Sequence, residues 1–414
     1  MSKILAIKAR QILDSRGNPT LEVDVLTKEG VSRASVPSGA STGKHEALEL
    51  RDNKKDFFGK SVMNAVKNTE KISKKLIGID CANQEYIDKS LIEMDGTENK
   101  SKLGANAILG ISMAVCRAGA LSKGIKLYEH IKEIAELENA ELEKKMILPR
   151  PFFNIINGGM HAGNHLQIQE YMVVPNEKKF SDNLKAGSEI YHELKEIIKN
   201  RYGKLSINVG DEGGFAPNID NPEEPIELIL EAAKKRGYKI NISMDAAASN
   251  FFKNGKYYFD GEQLTAAELS DFYSDLCKKY PINSIEDPFA EDSFDDFASF
   301  TKKMKNKLQI VGDDLLVTNT QRIQKAIVWS ACNALLLKIN QIGTITEAVD
   351  AAKLAYGASW NVMVSHRSGE TEDSFIADLA VGLGCGQIKS GAPCRGERIA
   401  KYNQLLRIEE EMRK

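Results

Sequence analysis

Six residues able to carry acid–base or metal chemistry recur through the second half of this 414-residue chain: Asp245, Glu286, Asp313, Lys338, His366 and Lys389. Each ends, or comes just after, a short apolar run (240–244, 282–285, 308–311, 334–337, 361–364 and 387–388). A single such residue is usually a cap or a solvated charge. Six in succession, each about one strand-plus-helix unit from the next, are hard to credit to chance. The first interval is longer and implies an insertion. Asp245, Glu286 and Asp313 are three carboxylates with no cysteine among them, an oxygen set that selects magnesium, manganese or calcium over zinc or copper. The competing reading is that they pair with nearby lysines. Lys338 and Lys389 interrupt or close apolar text, where a solvated lysine is out of place. Beside a dication, such a lysine has its pKa lowered and offers a neutral amine as base.

Other runs add to this set. Gly210-Asp211-Glu212-Gly213-Gly214 places two acids on a glycine-flanked turn, and the text at 205–209 before it reads as another strand. Arg367 and Ser368 follow His366, and an arginine beside hydroxyl and imidazole suits phosphate, which its fork can bind through two oxygens. GASTGKH (39–45) resembles a nucleotide-binding glycine loop, but it is one residue short between its glycines and has His45 where that motif needs Ser or Thr. His161 and His165 have zinc-protease spacing, yet Ala162 stands where the glutamate belongs. His45, His130 and His192 have no context beyond structural or surface roles.

These residues need elements to hold them. Leu21, Val23 and Val25 alternate with Glu22 and Asp24, a strand period; a second short strand spans 31–36, and helices are expected near 64–77, 84–91 and 106–123. Strands followed by helices imply a small α+β domain. After the charged stretch 133–145 the rhythm changes to alternating apolar runs and amphipathic helices, with helices expected at 264–279, 318–330 and 344–354. That alternation implies a parallel sheet, and at this number of repeats a closed (β/α) barrel, whose C-terminal strand ends meet on one face. The expected fold class is α/β, with an N-terminal α+β capping domain (1–138) and a TIM-type barrel (139–414). A net charge of -2 with both signs interspersed leaves no basic block for nucleic acid. The six cysteines form no CxxC pair and read as reduced core thiols. The N-terminal apolar stretch is too short for a signal peptide, and 105–121 reads as a buried helix. A cytoplasmic protein is expected.

The motifs together resemble the enolase family from end to end: DSRGNPT (14–20), VPSGASTG (36–43), NGGMHAG (157–163), GDEGGFAPN (210–218), SIEDPFAED (284–292), GDDLLVTN (312–319), LLLKINQIGT (335–344), SHRSGETED (365–373) and GQIKSGAPCRGER (386–398). The resemblance implies a hydro-lyase that converts 2-phosphoglycerate to phosphoenolpyruvate in an irregular (β/α)8 barrel starting ββαα. It also implies two magnesium ions per site and a homodimer or higher oligomer. By resemblance Lys338 is the base that removes the proton beside the carboxylate, and Glu212 the acid that assists loss of hydroxyl. Asp245, Glu286 and Asp313 hold the first magnesium, and Ser41 on the SGAST loop helps hold the second. Arg367, Ser368 and Lys389 contact phosphate and carboxylate. His161, Gln169, Glu170 and His366 are further substrate-contacting or proton-relay positions. Other superfamily members, acting on acid sugars or as racemases, share the three carboxylates but not the SGAST loop or the SHRSGE run. A binding role in which Lys414 engages a lysine-recognising partner is a further expectation.

Overall fold

The alternation at Leu21, Val23 and Val25 puts one face of a strand on a core. In the computed structural model, which describes residues 2–40, 42–136, 145–305 and 307–413, that strand is the centre of an antiparallel sheet. The sheet comprises β1 (Ala6–Leu13), β2 (Pro19–Thr27) and β3 (Gly30–Ser35). β1 was not expected as a strand; its burial is patchy, so no clean alternation marks it. Helices Met63–Leu76, Gln84–Asp95, Ala105–Lys123 and Leu127–Glu136 follow. The third is long and apolar enough to cross a membrane, but 83% of its most apolar window is buried inside the fold. Gly110 permits that packing, since a Cβ there would stand 2.7 Å from a Val23 methyl on β2. The expected domain boundary at 138/139 lies outside the described residues.

The second part is a closed barrel. Its strands are β4 (Arg150–Asn157), β5 (Glu170–Pro175), β6 (Ile240–Asp245), β10 (Ile282–Glu286), β11 (Gln309–Gly312), β12 (Ala334–Leu337), β13 (Asn361–Ser365) and β14 (Gly386–Lys389), joined in that order and closed by β14 against β4. The six apolar runs read from the sequence are β6 and β10 to β14, all parallel. β4 and β5 complete the ring, and β5 is antiparallel to both neighbours. Helices Phe180–Tyr202 and Glu224–Arg236 come next, giving the ββαα start. The long first interval is a small sheet of β7 (Phe252–Lys253), β8 (Lys256–Phe259) and β9 (Glu262–Leu264) inserted after β6. Phe152, Met172, Val174, Val311, Ala334, Leu336 and Met363 form a buried cluster of their own, apart from the large core that includes the helices.

The strand expected at 205–209 is absent. The chain makes a 3-10 turn at Lys204–Ile207 with Leu205 83% exposed, so the apolar text there buries little and gains nothing from a ladder.

Register brings the chemistry to one end. It pairs Glu170 with Asp245, Asp245 with Glu286, and Ser365 with Lys389. The N-terminal domain docks over this end. Ser38 and Gly369 exchange two backbone hydrogen bonds of 2.8 Å, and Arg117 pairs with Asp373 at 2.7 Å.

Candidate active site

Asp245, Glu286, Asp313, Lys338, His366 and Lys389 all lie at the C-terminal ends of their strands, and all but Lys338 are buried. Around them a small cavity is lined by His161, Gln169, Glu170, Glu212, Asp245, Lys338, Ser365, His366, Arg367, Ser368 and Lys389. Every described residue expected from the sequence is therefore at the cavity or in contact with its lining: Glu286 touches Lys389, and Asp313 touches Lys338. Ser41 and Lys414 lie outside the described residues.

Two lysines organise the acids. The Lys389 ammonium lies 2.8 and 2.9 Å from the two oxygens of Glu286, 3.2 Å from Glu170 and 3.5 Å from Asp245. Burial alone would lower its pKa, but Glu170 and Glu286 outweigh that and hold it well above the ordinary lysine value. Lys338 Nζ donates to Asp313 Oδ2 at 2.5 Å, and Gln341 donates to the other oxygen at 2.8 Å. The lowering expected of Lys338 is the effect of an adjacent dication; the protein's own groups set a different balance. Burial, Arg367 and Lys389 lower its pKa, yet the Asp313 carboxylate prevails and raises it.

The remaining acids form a second pair. Glu212, on the glycine-flanked turn, accepts from Asn154 Nδ2 at 2.8 Å and lies 3.5 Å from His161 Nδ1 and 3.6 Å from His366 Nε2. His161 Nδ1 is also 3.6 Å from Glu170. Burial raises Glu170, Glu212 raises it further, and it stands well above the carboxylate range. Burial also pushes Glu212 up, but His161 and His366 hold it well below. Two buried carboxyls side by side resist ionising together, and of the two it is Glu170 that is raised. His366 is held well below the usual histidine value, first by burial, with Arg398 and Lys389 adding to it.

The donor set fits a hard divalent cation. Asp245, Glu286 and Asp313 present only carboxylate oxygens, buried and adjacent in the barrel. Gln169 Oε1, His161 Nδ1 and His366 Nε2 are buried at the cavity without hydrogen-bond partners, which leaves polar capacity for a ligand. Among the described residues, the ligating atoms cluster closely in two groups, His161, Glu170 and Glu212, and Asp287, Asp313 and Asp314. The expected trio is spread more widely, because Lys389 lies among Asp245, Glu286 and Glu170 while Lys338 draws on Asp313.

Four contributors were not singled out from the sequence. Asp287 caps the backbone N–H groups of Asp313 at 2.9 Å and Asp314 at 2.7 Å. Gln341 orients Asp313. Glu46, from the N-terminal domain, grips Arg367. Arg398 braces the His366 loop. Only Asp287 carried a local signal, as the second acid of the doublet Glu286-Asp287.

Two family models match the chain. The one described as "Enolase, N-terminal domain" covers residues 4–131, and the one described as "Enolase, C-terminal TIM barrel domain" covers residues 145–414.

Proposed function

The chain belongs to the enolase family and is a lyase of that superfamily, and from this premise we propose that it is a phosphopyruvate hydratase. It reversibly dehydrates 2-phospho-D-glycerate to phosphoenolpyruvate in glycolysis and gluconeogenesis. The observation that carries the reading is one cavity lined by two lysines, the carboxyls of Glu170 and Glu212, and an arginine–serine corner.

In this reading Lys338 takes the proton from the carbon beside the substrate carboxylate. Lys389, with its high pKa, stays charged and offsets negative charge as it develops. The Glu170–Glu212 pair delivers a proton to the departing hydroxyl, with Glu212 as donor and Glu170 as the group that holds the proton beforehand. Arg367 and Ser368 bind phosphate, and His161, Gln169 and His366 orient the substrate. Asp245, Glu286 and Asp313 would hold one magnesium and Ser41 would help hold a second; bound there, the ions would supply positive charge where negative charge develops on the substrate carboxylate. Residues 1–138 act as the capping domain over the barrel 139–414. The enzyme works in the cytoplasm as a homodimer or larger homo-oligomer.

The test is turnover of 2-phosphoglycerate, followed by the ultraviolet absorbance of phosphoenolpyruvate. Activity that stops with chelator and returns with magnesium supports the reading. Folded, magnesium-loaded protein that turns over an acid sugar but not 2-phosphoglycerate overturns it.

A further inference from the structure

Among the described residues, Arg398 is the largest side chain that is fully buried, at 0% exposure. It stands in the first turn of the helix Gly396–Glu411, outside the cavity. Its nearest carboxylate, Glu397, is 3.4 Å from Nε and already pairs with Arg395 at 2.6 Å. The fork of the guanidinium is directed elsewhere. Nη1 contacts His366 Nδ1 at 2.5 Å and donates to the Arg367 carbonyl at 2.6 Å. Nη2 donates to the carbonyls of Ser368 at 2.6 Å and Asp211 at 3.0 Å. One side chain thus fastens the loop carrying Glu212 to the loop carrying His366, Arg367 and Ser368.

The ring contact has a chemical consequence. A guanidinium has only donors and is not deprotonated in proteins. His366 Nδ1 must therefore accept, so the ring is neutral and its proton sits on Nε2. Nε2 is buried, has no hydrogen-bond partner, and lies 3.6 Å from Glu212 Oε1. Backbone geometry leaves room for this arrangement. Gly391 has φ +74°, and a Cβ there would meet the Glu212 carbonyl at 2.6 Å and Arg398 Cδ at 3.0 Å.

We propose that Arg398 is a positioning residue that locks His366 as the neutral Nε2–H tautomer, making it a hydrogen-bond donor into the cavity beside Glu212. His366 then takes up no proton through Nε2; it orients an oxygen, of Glu212 or of the substrate. The kinetic consequence rests on the proposed dehydration, whereas the tautomer does not.

The experiment is a long-range 1H–15N correlation spectrum of protein with 15N-labelled histidine at pH 7. His366 is assigned among the six histidines by the signals that vanish in His366→Gln. An unprotonated Nδ1 with a protonated Nε2 is expected. A ring protonated at Nδ1, or at both nitrogens, overturns the proposal. Arg398→Lys keeps a charge but not the fork; its His366 signals should move toward a mixture of tautomers. Its kcat on 2-phosphoglycerate should fall about 10–100-fold, with KM changing less than about threefold. Wild-type signals with wild-type kcat in that variant also overturn it. Tyr402→Phe is the packing control: it removes the 2.7 Å bond to the Gly391 carbonyl and should leave the tautomer unchanged. Should Arg398→Lys not fold, the wild-type spectrum still decides. The expected tautomer in a protein that does not turn over 2-phosphoglycerate would sink the reaction assignment and leave the lock standing.

Discussion

The guanidinium of Arg367 is gripped by Glu46 across the two domains, Nη1 to Oε2 at 2.9 Å and Nη2 to Oε1 at 3.0 Å. Asn340 accepts from the same Nη1 at 2.9 Å. Both ion-pair partners are nearly buried. A buried pair of this kind contributes register more dependably than net stability. It also occupies the fork that the proposed phosphate contact needs, so Glu46 and an anionic ligand compete for one arginine.

Glu46→Gln tests that competition. The amide keeps the shape but leaves Arg367 charged and poorly paired, so stability should fall by about 3 kcal/mol. Inorganic phosphate should then raise the melting temperature of the variant more than that of the wild type. Equal shifts in the two proteins would show that Glu46 is not the competitor.

The base and the acid separate by isotope exchange. Lys338→Ala should abolish exchange of the substrate proton with solvent deuterium, read by NMR, by at least about 10²-fold. Glu212→Gln should slow phosphoenolpyruvate formation by a similar factor while some exchange persists, because Lys338 remains. Exchange retained in the first variant means that another group is the base. Loss of both processes in the second means that the two steps are not divided between these residues.

Gly369 tests the docking of the N-terminal domain. A Cβ there would stand 2.4 Å from Arg16 Nη2 and Asp14 Oδ2, and 2.7 Å from the Ser38 carbonyl. The side chains can shift, but the carbonyl belongs to the reciprocal backbone pair between the domains. Gly369→Ala should cost about 1–3 kcal/mol and lower activity by displacing Ser38, the first residue of the SGAST loop. A variant with unchanged denaturant midpoint and unchanged kcat/KM would show that the close approach is not needed.

The barrel face was legible because each of its strands from β6 onward buries an apolar run and then releases one polar residue, as Ile242, Met244 and Asp245 do on β6. β4 and β5 are just as apolar, through Phe152 to Ile156 and Tyr171 to Val174, and all of these are buried. Apolar runs without a partner pattern, however, do not reveal strand direction. The turn at Lys204–Ile207 misled because Leu205 and Ile207 alternate with polar residues as a strand would. Only the tertiary fold leaves Leu205 exposed. Glu46 and Arg398 were invisible for a different reason. Each is an ordinary charge in polar text, and its role comes from burial against a residue of another domain or loop, which no local period encodes. Lys338 was legible in place, but its ion pair with Asp313, 2.5 Å away, was not, because the two residues come from the ends of different strands.

A pH dependence should arise far from the cavity, at His130. Its side chain is 1% exposed, and Lys123 Nζ lies 3.3 Å from Nδ1. Burial, and then Lys123, lower its pKa from 6.5 to about 4, against the opposing pull of Glu133. The unfolded chain therefore binds a proton at this residue between pH 6.5 and 4 that the folded chain does not. Its contribution is present above pH 6.5 and is lost as the pH falls toward 4, by up to about 3 kcal/mol. Asp378 acts in the opposite sense. Burial raises it to about 6, so its folded form gains a proton first and its contribution grows on acidification. A bulk stability curve mixes the two, but the difference between wild type and His130→Gln removes Asp378. Urea unfolding at pH 7 and pH 4.5 should show the wild type losing more stability than the variant. Equal losses would mean that His130 charges in the folded state, and that the Lys123 contact does not keep it neutral.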